Sequence, residues 1–485
     1  MNELTTSGVI FLLLALGLAL AFEFVNGFHD TANAVATVIY THTLPPNAAV
    51  VWSGIWNLLG VLASSGAVAF SVLSLLPVEL ILNVSSAAGF AMVFAMLLSA
   101  ITWNLGTWYL GLPASSSHTL IGSILGVGIA NAMMNHSQFG DGVNWAKAKD
   151  VFLSLLISPV IGFFFSLMLV VLIKKFLADP TLFADPSKEK APPRWIRSVL
   201  FMTCTGVSFA HGSNDGQKGM GLILLILIGI LPGQYAVNLA LPPATVAEIH
   251  STAERSTRAL PSGAPVSSVE ATTVLSAFLK ANGKVTSATL PALAAKTTVI
   301  ASGLAGLTSL EQLSLKARSD FRSDAYLAAE AIAKLKKLGQ LPAPAQAPLQ
   351  SLRTGLDSAT RHIPLWVKIA VALALGLGTM VGWERIVVTV GEKIGKSHLT
   401  YAQGAAAEIS AMTTIFAADG LGMPLSTTHV LSSGIAGAML AHHSGLQMGT
   451  LRNILLAWVL TLPVCVFLGA MLFALVLNVL LRFGL

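Results

Sequence analysis

Charge is scarce in this chain. Asp, Glu, Lys and Arg make up 10% of its 485 residues, where a soluble globular protein carries about a quarter, and that excludes an ordinary water-soluble domain. No Lys or Arg precedes Lys147. Cysteine is nearly absent. Cys204 and Cys465 both fall in apolar runs, so no disulfide framework or cysteine metal site can be built from them. No His pair has a zinc-like spacing, and no resident metal or cofactor is expected. The alternating pattern of a membrane barrel is also missing, which leaves helices as the way to satisfy a backbone in lipid. The net charge of +6 does not argue for nucleic acid, because the cations sit in loops, as membrane topology requires.

What the chain does have is apolar sequence. Runs of about 17–25 residues recur, enough for a helix to cross a bilayer. They lie near 9–25, 48–72, 88–109, 116–134, 151–173, 197–210, 218–238, 364–390, 401–420, 426–441 and 452–480, which predicts ten to twelve spans. The first, Val9–Val25, lacks a basic leader and a cleavage-like end and is expected to be retained. Lys174, Lys175, Lys188, Lys190, Arg194 and Arg197 crowd one short connection, which the positive-inside rule assigns to the cytoplasm. Segment 240–362 differs, with 13 basic and 8 acidic residues and no spanning run. Helical periodicity over Ser309–Leu338 predicts a small helical extramembrane insert there, as a solvated connector or as a regulatory or lipid-contacting element. The chain thus divides into a first repeat (1–175), a basic cytoplasmic loop (176–196), the start of a second repeat (197–239), the insert (240–362) and the rest of the second repeat (363–485).

The halves repeat each other. Phe24-Val-Asn-Gly-Phe-His-Asp30 aligns with Phe209-Ala-His-Gly-Ser-Asn-Asp215 at a shift of 185. Leu110-Gly-Leu-Pro-Ala-Ser-Ser-Ser-His-Thr-Leu120 aligns with Leu421-Gly-Met-Pro-Leu-Ser-Thr-Thr-His-Val-Leu431 at a shift of 311. The shifts differ by nearly the length of the insert, so without it the halves are almost collinear. The predicted architecture is an all-α membrane bundle of two inverted repeats with broken helices, the arrangement that places a substrate site near the midplane.

The motifs carry the chemistry. Asp30 and Asp215 end apolar runs beside Gly27, Gly212 and Gly216, where a helix can break. A charge there costs at least ~2.5–3.5 kcal/mol on insertion scales, and its duplication points to function. Lys218, the only Lys or Arg between Arg197 and Arg255, lies one helical turn beyond Asp215. Pro113 and Pro424 interrupt their helices, and Ser115 and Ser426 suit helix N-caps. The N–H groups of Ser116-Ser117 and Thr427-Thr428 then offer an anion site. His118 and His429 read as buried partners steadying the hydroxyl turns, with proton relay as the other reading. Amides at Asn33 and Gln217 complete the set. Two carboxylates repel an anion, so either they accept the proton of hydrogenphosphate, which sulfate lacks, or cations enter with the anion. Both point to phosphate symport. The competing classes are a membrane-embedded phosphatase, a carrier of another oxyanion and a passive channel.

These residues closely resemble the PiT family of inorganic phosphate transporters, and within it the bacterial Pit-type low-affinity permeases. The signature Gly-Ala-Asn-Asp-Val-Ala-Asn-Ala is similar to Gly27-Phe-His-Asp-Thr-Ala-Asn-Ala34 and to Gly212-Ser-Asn-Asp-Gly-Gln-Lys-Gly219. Gly106-Thr-Trp-Tyr-Leu-Gly-Leu-Pro-Ala-Ser-Ser-Ser-His-Thr119, Gly391-Glu-Lys-Ile-Gly-Lys396 and Met423-Pro-Leu-Ser-Thr-Thr-His-Val-Leu431 extend the likeness over nearly the whole chain. The resemblance implies a multi-pass transporter in the cytoplasmic (inner) membrane of a bacterium, not an enzyme, with a homodimer compatible with it. Phosphate would contact Asp30, Asn33, Ser115, Ser116, Asp215, Ser426 and Thr427, with Gln217 and Lys218 beside them. Sodium-coupled relatives carry Asn where His29 and Lys218 stand. Proton coupling and a divalent metal–phosphate cargo are therefore expected, with sodium coupling as the alternative. The coupling-ion candidates are His29, Asp30, Asn214, Asp215, Lys218, His118 and His429.

Overall fold

A backbone in lipid must bond to itself, and the regular elements among the described residues are all helices. The computed structural model describes residues 6–76, 86–135, 142–177, 179–186, 192–261, 266–280 and 283–482. Lys188 and Lys190 of the basic connection lie outside that set. The first copy runs α1 (Thr6–Asp30), α2 (Ala32–Tyr40), α3 (Pro46–Ala63), α4 (Ala67–Leu73), α5 (Ala87–Tyr109), α6 (Ser116–Met134) and α7 (Trp145–Phe176). After it come α8 (Arg194–Ile230) and the short α9 (Pro232–Tyr235). The insert holds α10 (Pro243–Ala259), α11 (Ser268–Leu279), α12 (Thr289–Leu304), α13 (Leu315–Lys337) and α14 (Ala343–Thr360). The second copy resumes with α15 (Leu365–Thr379), α16 (Glu384–Glu392), α17 (Tyr401–Gly420), α18 (Thr427–Ala441) and α19 (Met448–Arg482).

Among the described residues six helices are long and apolar enough to cross a membrane, and α15 passes the same test only together with α14, from which it is bent by 67°. The chain is a membrane protein. Two of the expected spans, 197–210 and 218–238, share the single helix α8, whose central polar motif divides its apolar length. The acidic motifs therefore do not break their helices. Thr31, between α1 and α2, keeps helical angles (φ −51°, ψ −40°), and Gly212 and Gly216 lie inside α8. Those glycines serve close approach instead. A β-carbon on Gly212 would stand 2.1 Å from the Asn57 carbonyl oxygen, and one on Gly27, its equivalent, 2.3 Å from that of Leu375. Gly60 meets the Phe209 carbonyl and Gly378 meets that of Phe24, both at 2.1 Å. Phe24 and Phe209 are themselves equivalent, so each copy grips the other through the same contact.

The breaks fall at the second pair of motifs. α5 and α6 form one hairpin with its tip at Pro113, and α17 and α18 form another with its tip at Pro424. Each tip is held by the last long helix of a half: Trp458 Nε1 of α19 donates to Pro113 O at 3.0 Å, and Ser154 Oγ of α7 to Pro424 O at 3.0 Å. The hairpins open at opposite ends of α7. At its start, Asn144 donates to Ser74 O at 3.1 Å on the side where the first hairpin opens. At its end, Lys174 Nζ donates to Ala441 O at 2.9 Å, the close of the second hairpin. The tips meet midway, with Ser117 Oγ donating to Leu425 O at 2.5 Å.

Polar and apolar layers alternate along the bundle. One apolar core takes Ala15, Ala19 and Phe22 of α1 with Met220–Ile228 of α8. The other takes Ala32–Val38 of α2 with Ile196–Ala210 of α8. The acidic motifs occupy the layer between.

The insert is more than a connector. Its five helices enclose a core of its own, including Ile249, Leu275, Phe278, Phe321, Leu335 and Leu352, and the buried Lys296 pairs with Asp324 at 2.5 Å. Its ends are tied together, since Asn238 N donates to Ala359 O at 2.8 Å. The chain leaves the bundle and returns at one place, which explains how so long a segment interrupts the second copy.

Candidate functional site

α1 and α8 present their acidic residues to one another, and the hairpin tips close over them. Asp30 is 2% exposed and Asp215 fully buried. Thr428 Oγ1 donates to Asp30 Oδ1 at 2.7 Å, Ser116 Oγ to Oδ2 at 3.0 Å and Thr427 Oγ1 to Oδ2 at 3.5 Å. Both tips therefore bind the carboxylate of α1. Asn33 Nδ2 donates to the hydroxyls of Thr428 (3.1 Å) and Thr427 (3.3 Å). His29 Nδ1 lies 3.3 Å from Asp30 Oδ1, and its Nε2 is 3.1 Å from Thr107 Oγ1.

The second acid has a cation of its own. Lys218 Nζ stands 2.7 Å from Asp215 Oδ1 and donates to Ser117 Oγ at 2.6 Å. The helical spacing predicted this pair. A residue that the motif comparison passed over joins the two acids. His211 Nε2 is 3.7 Å from Asp30 Oδ2 and 3.5 Å from Asp215 Oδ2, and its Nδ1 is bonded to Asn57 Oδ1 at 2.8 Å. Asn57 is oriented in turn by Thr379 at 3.1 Å. The one available signal was the spacing of His211 and Asp215, one helical turn apart. Its equivalent in the first copy is Asn26, so symmetry hid it.

Asp30, His211 and Asp215 each offer one ligand atom, all within 4.8 Å of one another. Spacing along the chain does not reveal such a group, because its members come from two helices. Buried oxygens without a protein hydrogen-bond donor include Asn33 Oδ1, Asn214 Oδ1 and Asp215 Oδ2. Acceptors of this kind suit a cation or a ligand that donates.

The chain matches known proteins. The Phosphate transporter family matches residues 26–469. This chain belongs to the phosphate transporter family. It is 42% identical over 488 residues to the low-affinity inorganic phosphate transporter PitA of Escherichia coli (strain K12), with 95% of each chain covered. PitB of the same organism, also a low-affinity inorganic phosphate transporter, is 41% identical over 486 residues, again covering 95% of each. A probable low-affinity inorganic phosphate transporter of Bacillus subtilis (strain 168) is 28% identical over 453 residues, 93% of each. A solved structure described as "The sodium-dependent phosphate transporter" shares the fold, with a TM-score of 0.53 and 20% identity over 96% of this chain and 98% of that one.

Other expected residues in this member of the phosphate transporter family stand differently. Ser115 and Ser426 face their own helices: each hydroxyl caps its helix by accepting from the backbone N–H of His118 (3.3 Å) or His429 (3.1 Å). Ser116, Thr427 and Thr428 are the hydroxyls that reach Asp30. Gln217 points away from the acids, as a residue two positions past Asp215 on a helix must. It accepts from Val68 N at 2.9 Å and donates to Asp419 Oδ1 at 2.5 Å. Ser213 joins the same carboxylate at 2.7 Å, so Asp419, which has no counterpart in the first copy, is partnered here. Asn214 donates to Met423 O at 3.3 Å. The His118 and His429 rings stack with centroids 4.6 Å apart, and His429 stacks on Trp458 at 3.9 Å. Among the described residues no hydrogen bond joins either ring to Asp30 or Asp215, so their backbones, rather than their rings, steady the hydroxyl turns.

Proposed function

We propose that this protein is a secondary active transporter that imports inorganic phosphate across the cytoplasmic membrane of a bacterium, carrying it as a divalent metal–phosphate complex by proton symport. The observation that carries the reading is the sharing of one imidazole, His211, by Asp30 and Asp215 where the hairpin tips meet. Two ionised carboxylates within 4.8 Å of each other repel by at least about 3–4 kcal/mol at an effective dielectric near 20. Lys218 offsets one of them. The other needs a proton or a metal ion, and an anion adds to that need. A cation entering with phosphate satisfies it, and the site couples the two.

The remaining parts suit an oxyanion. The N-termini of α6 and α18 aim their N–H groups inward with the positive ends of their dipoles. A carboxylate accepts the hydrogen bond of hydrogenphosphate, and sulfate offers none near neutral pH. His29 and Lys218 replace the neutral asparagines of sodium-coupled relatives with groups that suit protons better. With the basic connection in the cytoplasm, the insert lies outside, because the two flank opposite ends of α7. Each hairpin tip then separates the site from one aqueous face, as alternating access requires. Transport, rather than phosphoryl chemistry, also fits the relatives, which are named as transporters.

Radiolabelled phosphate uptake by proteoliposomes tests this, under separately imposed pH and sodium gradients with and without Mg2+. Uptake should follow the pH gradient and increase with the metal. Uptake driven by sodium alone and indifferent to pH would sink the proton reading.

A further inference from the structure

We propose that the insert and the bundle together form an outer receiving site for the phosphate oxyanion, ahead of the buried acids; this deepens the transport reading above and rests on it. A cavity of about 520 Å³ lies between α4, the start of α7, the insert helices α13 and α14, and the turn Leu421-Gly422. That volume holds an oxyanion with its first shell of water. Its charged lining is Lys147, Arg353 and Arg361 against Glu330 and Asp357, an excess of one positive charge.

The acids are committed. Arg361 pairs with Glu330 and with Asp357, each at 2.9 Å, which leaves one net positive charge for a ligand. Arg353 Nε is 3.9 Å from Asp357 and makes no hydrogen bond. The Lys147 ammonium has no ion pair among the described residues. Beside the cavity, Arg322 donates to the carbonyls of Ala236 (3.2 Å) and Thr360 (2.9 Å). Burial pulls its pKa down to about 10, so it still adds positive charge at neutral pH. Ser65, Ser74 and Asn144 supply neutral polar groups.

The turn that borders the cavity is joined through the chain to the site. Immediately after Leu421-Gly422, Met423 O accepts from Asn214 and Leu425 O from Ser117, the hydroxyl that also binds Lys218. The equivalent turn of the other hairpin, Leu110-Gly111, has an arginine beside it. There Arg385 donates to Tyr109 O at 2.7 Å and lies over the rings of Trp108 (5.2 Å) and Tyr109 (4.9 Å). Ala67 holds the matching place beside Gly422, where a β-carbon on the glycine would stand 3.2 Å from the Ala67 methyl. The two turns thus differ in their surroundings: a cavity lined by cations and acids borders one, and an arginine stacked on aromatic rings borders the other. An electropositive mouth raises the local concentration of an anion and its rate of entry.

The test is initial-rate phosphate uptake by proteoliposomes of phosphatidylcholine, with and without phosphatidylglycerol, for wild type, Lys147→Gln, Lys147→Glu, Lys147→Arg and Arg353→Gln. None of these residues touches the buried acids. Loss of charge should raise KM about threefold to tenfold without changing Vmax, and Lys147→Arg should keep the wild-type KM. The difference should shrink as salt shortens the Debye length to ~3 Å near 1 M. An unchanged KM for Lys147→Glu at low salt overturns the proposal. So does a fall in Vmax alone, which marks a structural role, or uptake that needs phosphatidylglycerol and ignores these charges, which marks a lipid headgroup as the occupant. A wild type that takes up no phosphate overturns the transport reading itself.

Discussion

Lys218→Met removes a charge and keeps most of the side-chain volume, so it isolates the ion pair at the centre of the site. The ammonium is 1% exposed, 2.7 Å from Asp215 Oδ1 and 2.6 Å from Ser117 Oγ. Without it, Asp215 keeps only the shared His211, at 3.5 Å. Removing one partner of a buried pair costs about 3–5 kcal/mol, because the other charge is left uncompensated, whereas removing both is often nearly neutral. Lys218→Met should therefore unfold well below wild type when purified in detergent. Adding Asp215→Asn should recover about 2 kcal/mol or more of the loss. Phosphate uptake should be absent from both variants, so stability and transport part company in the double variant. If Lys218→Met falls within about 1 kcal/mol of wild type, or if the double variant is no more stable than the single one, the pair does not hold the site in the way argued.

Two further outcomes follow from the geometry. Gly60→Ala and Gly378→Ala each place a methyl 2.1 Å from a carbonyl oxygen of the opposite copy, and each should destabilise by about 1–3 kcal/mol through overpacking, by similar amounts in the same unfolding assay. Thr428→Val deletes the 2.7 Å bond to Asp30, worth about 1.5–3 kcal/mol for a charged acceptor, and should reduce phosphate uptake more than Ser426→Ala, which removes only a helix cap.

Much of this was legible in the sequence because duplication writes every constraint twice. Asp30, Asp215, the prolines and the capping serines stand out once the halves are aligned, and the Asp215–Lys218 pair follows from one helical turn. The less legible features share a cause, which is that they are long-range or unsymmetrical. His211 has only Asn26 opposite it, and it reaches Asp30 from another helix. The glycines around the acids suggested breaks, because glycine is weak in a helix; they are retained here for helix crossings so close that a β-carbon would collide with backbone. Which hydroxyl of each Ser/Thr triplet faces Asp30 depends on the turn of the helix start, and spacing alone does not give it. The insert's core, built from α10 to α14, was visible only as periodicity in α13, since its other helices are short and rich in Ala, Ser and Thr.

The central claim is that phosphate binds between Asp30 and Asp215 beneath the two hairpin tips. Its most direct test is equilibrium binding of radiolabelled phosphate to the purified protein with Mg2+ present, comparing wild type with Asp30→Asn and Asp215→Asn. The account predicts saturable binding that arsenate displaces and sulfate does not, and that either substitution abolishes. Binding of wild-type strength in both variants, or equal displacement by sulfate, would contradict it.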